Sequence, residues 1–191
     1  SRTDPWVLVY HGFDPAHEGH REALTSLGNG RMVTRGALPE HEDDGTHYPG
    51  TYLAGVYNRL VSDIHGRRLE EEHLVNAPNW LPFDLRIDDG PWWSSGAVPA
   101  ADERREVHLQ HGVSIRHVTL TGPGGRRLTI TQQSFVSMDD PHLAVQETTV
   151  TAIGWNGRVA IRAWIDASIR NTNVPSYTGT NATHLASPTF R

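Results

Sequence analysis

The chain has 191 residues and a formal net charge of −5, it contains no cysteine, and its 17 basic residues are all arginine. The lack of cysteine excludes disulfides and thiolate metal sites, and the acidic balance argues against nucleic acid as a partner. No apolar run approaches the roughly 18 residues of a membrane helix, and the first residues lack the apolar stretch of an export signal. We therefore expect a cytoplasmic, globular protein with no membrane partner.

The first half of the chain contains short extended segments separated by turns. One or two helical turns are predicted at 21–27, ended by Gly28 and Gly30. Residues 39–50 have no periodicity and are rich in acidic and histidine side chains, so an exposed loop is predicted there. The predicted strands of this half are 6–10, 32–35, 51–58 and 82–88.

The second half has the two-residue periodicity of β-strands. Apolar residues alternate from Val159 to Ile169, which predicts one strand with that face buried. Three earlier strands are predicted from Val113 onward, and Asn156-Gly157 is a hairpin signal before the last strand. Four consecutive strands with short turns predict an antiparallel meander. Ten or more short strands with little helix predict an all-β fold, an antiparallel β-sandwich.

The histidines and carboxylates give no clear catalytic or metal motif. The two histidines of His17-Glu-Gly-His20 are three residues apart, whereas zinc proteases need two histidines four apart on a helix. His11, His41, His47 and His65 have no spacing typical of metal ligands, so no metal site is assigned. The acidic runs 40–44 and 70–72 are typical of solvated surface, so no catalytic residue is assigned.

Aromatic and amide side chains are concentrated between residues 48 and 93. Such side chains suit sugar hydroxyls and sugar faces, although packing within the core would use the same residues. We expect five of them to form a substrate-binding surface or a contact with another domain. They are Tyr52, Tyr57, Asn58, Asn79 and Trp80.

Five segments, in the same order along the chain, resemble sequence blocks of glycoside hydrolase family 65. They are REALTSLGNGRMVTRG at 21–36, YPGTYLAGVYNR at 48–59, VNAPNWLP at 75–82, VHLQHG at 107–112 and SFVSMD at 134–139. Each block alone is short, but the ordered set is specific. Arg31, Gln110 and Gln133 depart from the family pattern, which weakens assignment to a named specificity.

The resemblance implies that residues 1–191 are a single N-terminal domain of a larger enzyme. The family domain is a galactose-mutarotase-like β-supersandwich with little helix, and the catalytic glutamate lies in a separate (α/α)₆ barrel. The implied reaction is inverting phosphorolysis or hydrolysis of α-glucosidic disaccharides, with inorganic phosphate as co-substrate of a phosphorylase and no metal or organic cofactor. The implied partners are the barrel, the disaccharide and further copies of the enzyme in a homo-oligomer.

Two other functions remain open from the residues alone. An independent carbohydrate-binding module of β-sandwich type would use exposed aromatics to bind glycans. A small metalloenzyme would use the histidines. Sugar binding by this chain alone separates the first from a non-catalytic domain, and metal content tests the second.

Overall fold

The structure, a computed structural model, describes residues 4–172 and 181–185. Twelve strands and one seven-residue helix, α1 (Glu18–Leu24), make up about half of these ranges. The strands are β1 Val7–His11, β2 Leu27–Gly28, β3 Met32–Thr34, β4 Thr51–Leu53, β5 Tyr57–Ile64, β6 Arg67–Leu74, β7 Phe83–Ile87, β8 Ala100–His108, β9 Val113–Thr121, β10 Arg127–Val136, β11 Ala144–Ile153 and β12 Val159–Ala163. Within the described ranges, no helix is long and apolar enough to span a membrane.

The largest sheet has the strand order β1-β8-β9-β10-β11. Its neighbours are all antiparallel, and β8 to β11 follow one another as hairpins. The turn between β9 and β10 is a short 3-10 segment at Pro123–Gly125, as the glycine-rich sequence there predicts. The meander is therefore confirmed for β9, β10 and β11, and the all-β antiparallel prediction is confirmed with it.

A second layer, formed by β7 and β12, packs on one face of this sheet. Leu85 of β7 is 1% exposed, and its apolar neighbours on β7 are also buried. Burial of this face removes apolar area from water, which is the main driving force for the two-layer packing. The shared core consists of Phe83, Leu85, Ile87, Trp93, Val98, Val118, Leu120, Leu128 and Ile130.

The N-terminal half adds two smaller sheets and the helix. Strands β2, β3 and β4 form a three-stranded sheet, and β5 and β6 form a separate hairpin. His65 and Gly66 at the tip of this hairpin have φ values of 53° and 77°, the left-handed pair that a tight two-residue turn requires. Leu27 and Met32 pack against Val107 and Val136 of the large sheet, which joins the three-stranded sheet to it.

Three predictions about the elements are wrong. The strand predicted from 159 to 169 ends at Ala163, and its apolar face is largely uncovered, since Ile161 is 55% exposed and Ile165 is 70% exposed. The Asn156-Gly157 turn does not form a hairpin, because β12 pairs with β7 and not with β11. Trp155 explains the change of layer: its indole N–H donates to the Arg127 carbonyl at 2.7 Å and its ring packs on the core.

The loop at 39–50 is also less exposed than predicted. Glu40 and His47 are 9% and 1% exposed, because both side chains find charged partners inside the fold. The run of polar residues predicted solvent exposure. Glu40 and His47 can nevertheless be buried, because Arg116 and Glu22 from distant segments pair with them.

Candidate functional site

The five candidate residues lie on three neighbouring segments. Tyr52 is in β4, Tyr57 and Asn58 begin β5, and Asn79 and Trp80 lie in the loop after β6. This loop joins the edge of β4, where the Ala77 N–H donates to the Thr51 carbonyl at 2.7 Å. Two open grooves border the β3–β4 pair. Both are lined by Arg31, Met32, Leu53 and Ala54, at the end of the pair away from the 35–50 connection, and we name them the Trp80 groove and the Tyr57 groove.

The Trp80 groove has a volume of about 450 Å³. Beyond the hairpin, its apolar wall comes from Val56, Pro78, Trp80 and Ala144. The Trp80 indole Nε1 is buried and has no hydrogen-bond partner within the described ranges. A buried indole N–H usually finds an acceptor, so this donor is an unsatisfied polar group beside an apolar groove that suits a ligand or another domain.

The Tyr57 groove is smaller, about 360 Å³, and more open. Tyr57 is 59% exposed and forms its rim with Val33, which is 39% exposed. Leu74 lies across from them. These side chains form an aromatic and aliphatic surface that a sugar ring or a neighbouring domain could cover.

Tyr52 belongs to a hydrogen-bond network that links β4 to other segments of the fold. Its hydroxyl donates to the Tyr48 hydroxyl at 3.2 Å, and Tyr48 donates to the Arg170 carbonyl at 3.1 Å. Asn76, 1% exposed, accepts the Thr51 N–H at 3.0 Å and donates to the Pro49 carbonyl at 3.1 Å. Burial, together with the bond to Tyr48, raises the pKa of Tyr52, so this hydroxyl stays protonated as a donor.

The two asparagines of the candidate set are likewise used inside the fold. Asn79 is 4% exposed, and its side-chain oxygen accepts the Leu81 N–H at 3.1 Å. The Asn79 backbone exchanges two hydrogen bonds with Asp166, at 2.8 and 2.9 Å. Asn58 Nδ2 lies 3.3 Å from His184 Nδ1. Of the five candidates, therefore, Tyr52, Tyr57 and Trp80 line the grooves, whereas the side chains of Asn58 and Asn79 contact other parts of the fold.

The buried carboxylates of the described ranges are all engaged by cationic side chains. Glu40 shows the effect: burial alone would raise its pKa, but the Arg116 guanidinium, which binds it at 2.6 and 2.7 Å, holds the pKa below the usual value. A general acid for glycoside cleavage needs the opposite, a carboxyl kept protonated near neutral pH. The pairs are Glu18 with Arg105, Glu22 with His47 and Arg35, Glu40 with Arg116, Asp84 with Arg162, and Glu106 with Arg104 and His108.

One group of side chains in the described ranges has the donor atoms for a metal ion. His41, Asp44 and His47 each place one possible ligand atom within 4.8 Å of the others. Burial alone would lower the pKa of His47, but the hydrogen bond and charge of Glu22 raise it above the ordinary value. His41 has a lowered pKa, with burial the largest cause.

No local sequence pattern identifies several of the residues that line the grooves. Met32, Val56 and Pro78 line the Trp80 groove only because the β3–β4 hairpin and the loop after β6 meet in space. Arg105 and Arg116 are adjacent in register on β8 and β9, and both are buried. The alternation of polar and apolar residues in a strand does not indicate that an arginine is buried. The groove depends on packing between distant segments, and the two arginines are buried because they pair with Glu18 and Glu40 from distant segments.

The chain was compared with known proteins. Residues 8–190 match the family model described as glycosyl hydrolase family 65, N-terminal domain. The chain is 41% identical over 182 residues to an uncharacterized glycosyl hydrolase of Mycobacterium tuberculosis (strain ATCC 25618 / H37Rv), covering 95% of the chain and 14% of that protein. It is 30% identical over 170 residues to kojibiose phosphorylase of Escherichia coli (strain K12), covering 88% of the chain and 21% of that protein.

A trehalose 6-phosphate phosphorylase of Lactococcus lactis subsp. lactis (strain IL1403) is 27% identical over 173 residues, covering 90% of the chain and 22% of that protein. A solved structure of a candidate kojibiose phosphorylase from the human microbiome superposes with a TM-score of 0.76 at 21% identity, covering 88% of the chain and 22% of that structure. This likeness supports the fold. The chain thus spans about a fifth or less of these relatives, and with the family model matching nearly its whole length it belongs to glycosyl hydrolase family 65, as the N-terminal domain.

Proposed function

We propose that this chain is the non-catalytic N-terminal domain of an enzyme that breaks or forms α-glucosidic bonds of disaccharides with inversion. The observation that carries the proposal is the match of residues 8–190 to the family's N-terminal domain, in relatives about five times longer or more. The buried carboxylates of the described ranges are ion-paired with arginine or histidine, which supports a non-catalytic role.

In the whole enzyme, a carboxylic acid of the catalytic domain would protonate the glycosidic oxygen. Inorganic phosphate, or water in a hydrolase, would attack the anomeric carbon from the opposite face. The names of the phosphorylase relatives favour phosphate as co-substrate. The proposal includes no metal or organic cofactor for this chemistry. Because phosphorolysis consumes phosphate of the cell interior, we also propose a cytoplasmic location.

We further propose that the Trp80 groove and the Tyr57 groove face the catalytic domain near the entrance to its active site. Both grooves present apolar and aromatic side chains that no described residue covers, and the Trp80 indole N–H lacks an acceptor. Contact with a second domain would bury this apolar surface.

The test uses the full-length enzyme with Trp80→Ala and Tyr57→Ala. We expect a several-fold rise in KM for the disaccharide, or a change in oligomeric state, with a fold that remains intact by circular dichroism. Trp6→Ala is the matched control, because Trp6 is 52% exposed and lies outside both grooves. If the two groove variants behave like the control in stability, oligomeric state and kinetics, the placement of the grooves is wrong.

A second measurement addresses the alternative of a carbohydrate-binding module. Titration calorimetry of this chain alone with maltose, trehalose and kojibiose should detect no binding if the domain depends on its catalytic partner. Millimolar or tighter binding to the chain alone, lost in Trp80→Ala, would favour the binding module instead.

A further inference from the structure

The loop at 39–50 brings a buried histidine against helix α1. His47 is 1% exposed, and its Nδ1 lies 2.9 Å from Oε1 of Glu22, which is itself fully buried. The other carboxylate oxygen of Glu22 accepts the Tyr48 N–H at 3.0 Å and lies 3.5 Å from Nη2 of Arg35. Since Glu22 accepts from these donors as a carboxylate, His47 Nδ1 must carry the hydrogen.

This arrangement leaves the second nitrogen of His47 without a partner. His47 Nε2 is buried and makes no hydrogen bond within the described ranges. When the ring is neutral with Nδ1 protonated, its lone pair is on Nε2, the nitrogen left for an ion. In either protonation state, a buried Nε2 that pairs with nothing is costly. Histidines that bind metals commonly donate their other ring N–H to a carboxylate, as His47 does to Glu22.

Two further ligands lie close by. Oδ1 of Asp44 accepts the backbone N–H groups of Thr46 and His47 at 2.9 and 2.8 Å, which fixes the carboxylate and leaves Oδ2 outside these two bonds. His41 is half-buried and stacks on His47 with ring centroids 4.0 Å apart. One possible ligand atom of each residue lies within 4.8 Å of the other two.

We propose that His41, Asp44 and His47 bind one divalent transition-metal ion, with zinc as the ion tested, and that Glu22 is the positioning residue for His47. Two imidazoles and one carboxylate are a ligand set that zinc uses in proteins, with water in the fourth position. The ion would connect both halves of the 39–50 loop and, through Glu22, attach them to α1. The proposed role is structural and separate from glycoside chemistry.

Binding requires the His41 ring to turn out of its stack on His47. Ligand atoms around tetrahedral zinc are about 3.3 Å apart, so the group must contract by roughly 1.5 Å at most from its present spacing. The His41 and His47 rings are stacked, with only 15° between their planes. Their nitrogen lone pairs therefore lie in nearly parallel planes and do not converge on one ion. His41 is the ring that can turn, since it borders an open cavity of about 510 Å³.

The test is zinc binding to the full chain, purified without a histidine tag and treated with chelator. Titration calorimetry with zinc sulfate should give one ion per chain, and cobalt in its place should give visible absorption bands. We expect His47→Gln and Asp44→Asn each to weaken zinc binding at least 10-fold, and Glu22→Gln to weaken it about 10- to 100-fold. Zinc should raise the melting temperature of the original protein.

The control is His142→Gln, because His142 forms an exposed pair with Asp140, Nδ1 to Oδ1 3.6 Å, outside the proposed site. It should bind zinc like the original protein. Should His47→Gln fail to fold, His41→Gln changes the half-buried ligand and gives the same answer. No stoichiometric zinc binding, or zinc binding that persists in both His41→Gln and Asp44→Asn, overturns the proposal.

Discussion

Two buried arginines attach the N-terminal segment to the large sheet. Arg105 and Arg116 are cross-strand neighbours on β8 and β9, and each is about 6% exposed. Arg105 binds Glu18 of α1, with Nη2 2.8 Å from Oε2, and Arg116 binds Glu40. Each guanidinium donates two hydrogen bonds to its carboxylate, the geometry in which arginine pairs most strongly.

This arrangement predicts that Glu18→Gln strongly destabilises the protein. Removing one partner of a buried ion pair leaves the other charge uncompensated, which typically costs about 3–5 kcal/mol. We expect the free energy of unfolding to fall by an amount near the lower end of this range, because Glu103 also approaches Arg105, with 3.5 Å between Oε1 and Nε. Urea unfolding measures it.

The matched control is Glu72→Gln on the exposed hairpin. Glu72 binds Arg59 at 2.7 Å, but both side chains are more than half exposed, so the expected loss is below about 1 kcal/mol. Equal losses in the two variants would mean that the Glu18–Arg105 pair contributes no more than a surface pair.

At this scale the sequence predicts little of the interior. Glu18 stands in a histidine-rich segment that suggested an exposed loop, and its partner lies 87 residues further along the chain. Charge pairing across such a distance leaves no periodic signal. By contrast, Tyr57 and Trp80 were predicted as surface aromatics, and the structure places both on open grooves.

Among the elements, local patterns predicted most of the strands but not β2, β6 or β8, and they predicted strand partners poorly. The meander of β9, β10 and β11 follows from alternating residues and short turns, because each strand pairs with its neighbour in sequence. β12 leaves the meander to pair with β7, about 70 residues earlier, and only tertiary packing selects that partner. The β5–β6 hairpin was not predicted beyond residue 58, since its charged strands lack an apolar face.

The β7–β12 pair predicts unequal costs for two facing residues. Leu85 and Ile161 are partners in register, yet Leu85 is 1% exposed and Ile161 is 55% exposed. Leu85→Ala should lower the free energy of unfolding by about 2–5 kcal/mol, because it leaves a cavity in the core. Ile161→Ala should cost less than about 1 kcal/mol, because much of its side chain is already in water.

Chemical denaturation at low protein concentration gives both values. The two variants act as controls for each other, since they remove aliphatic groups from paired positions of the same two strands. Similar costs for both would show that Ile161 is covered in solution, contrary to the exposure in the structure.

On the scale of the whole molecule, one side of the domain has a free strand edge and exposed apolar side chains. Among the described strands β12 has β7 as its single neighbour, so its other edge has free backbone groups. Ile161, Trp164 and Ile165 add an apolar patch beside that edge, and they are 55%, 36% and 70% exposed. An uncovered strand edge with apolar side chains favours pairing with another chain.

In an enzyme about five times longer, further parts of the protein could cover this patch, whereas the chain alone has no such cover within its described ranges. We therefore predict that the chain alone self-associates, and that Ile161→Ser with Ile165→Ser shifts it toward monomer. Light scattering coupled to size-exclusion chromatography measures the mass across a concentration series. Leu109→Ser serves as control, since Leu109 is 53% exposed and follows β8 in the other layer. A strict monomer at high concentration would show that the patch is insufficient for association, whereas an oligomer that the double variant leaves unchanged would place the contact on another face.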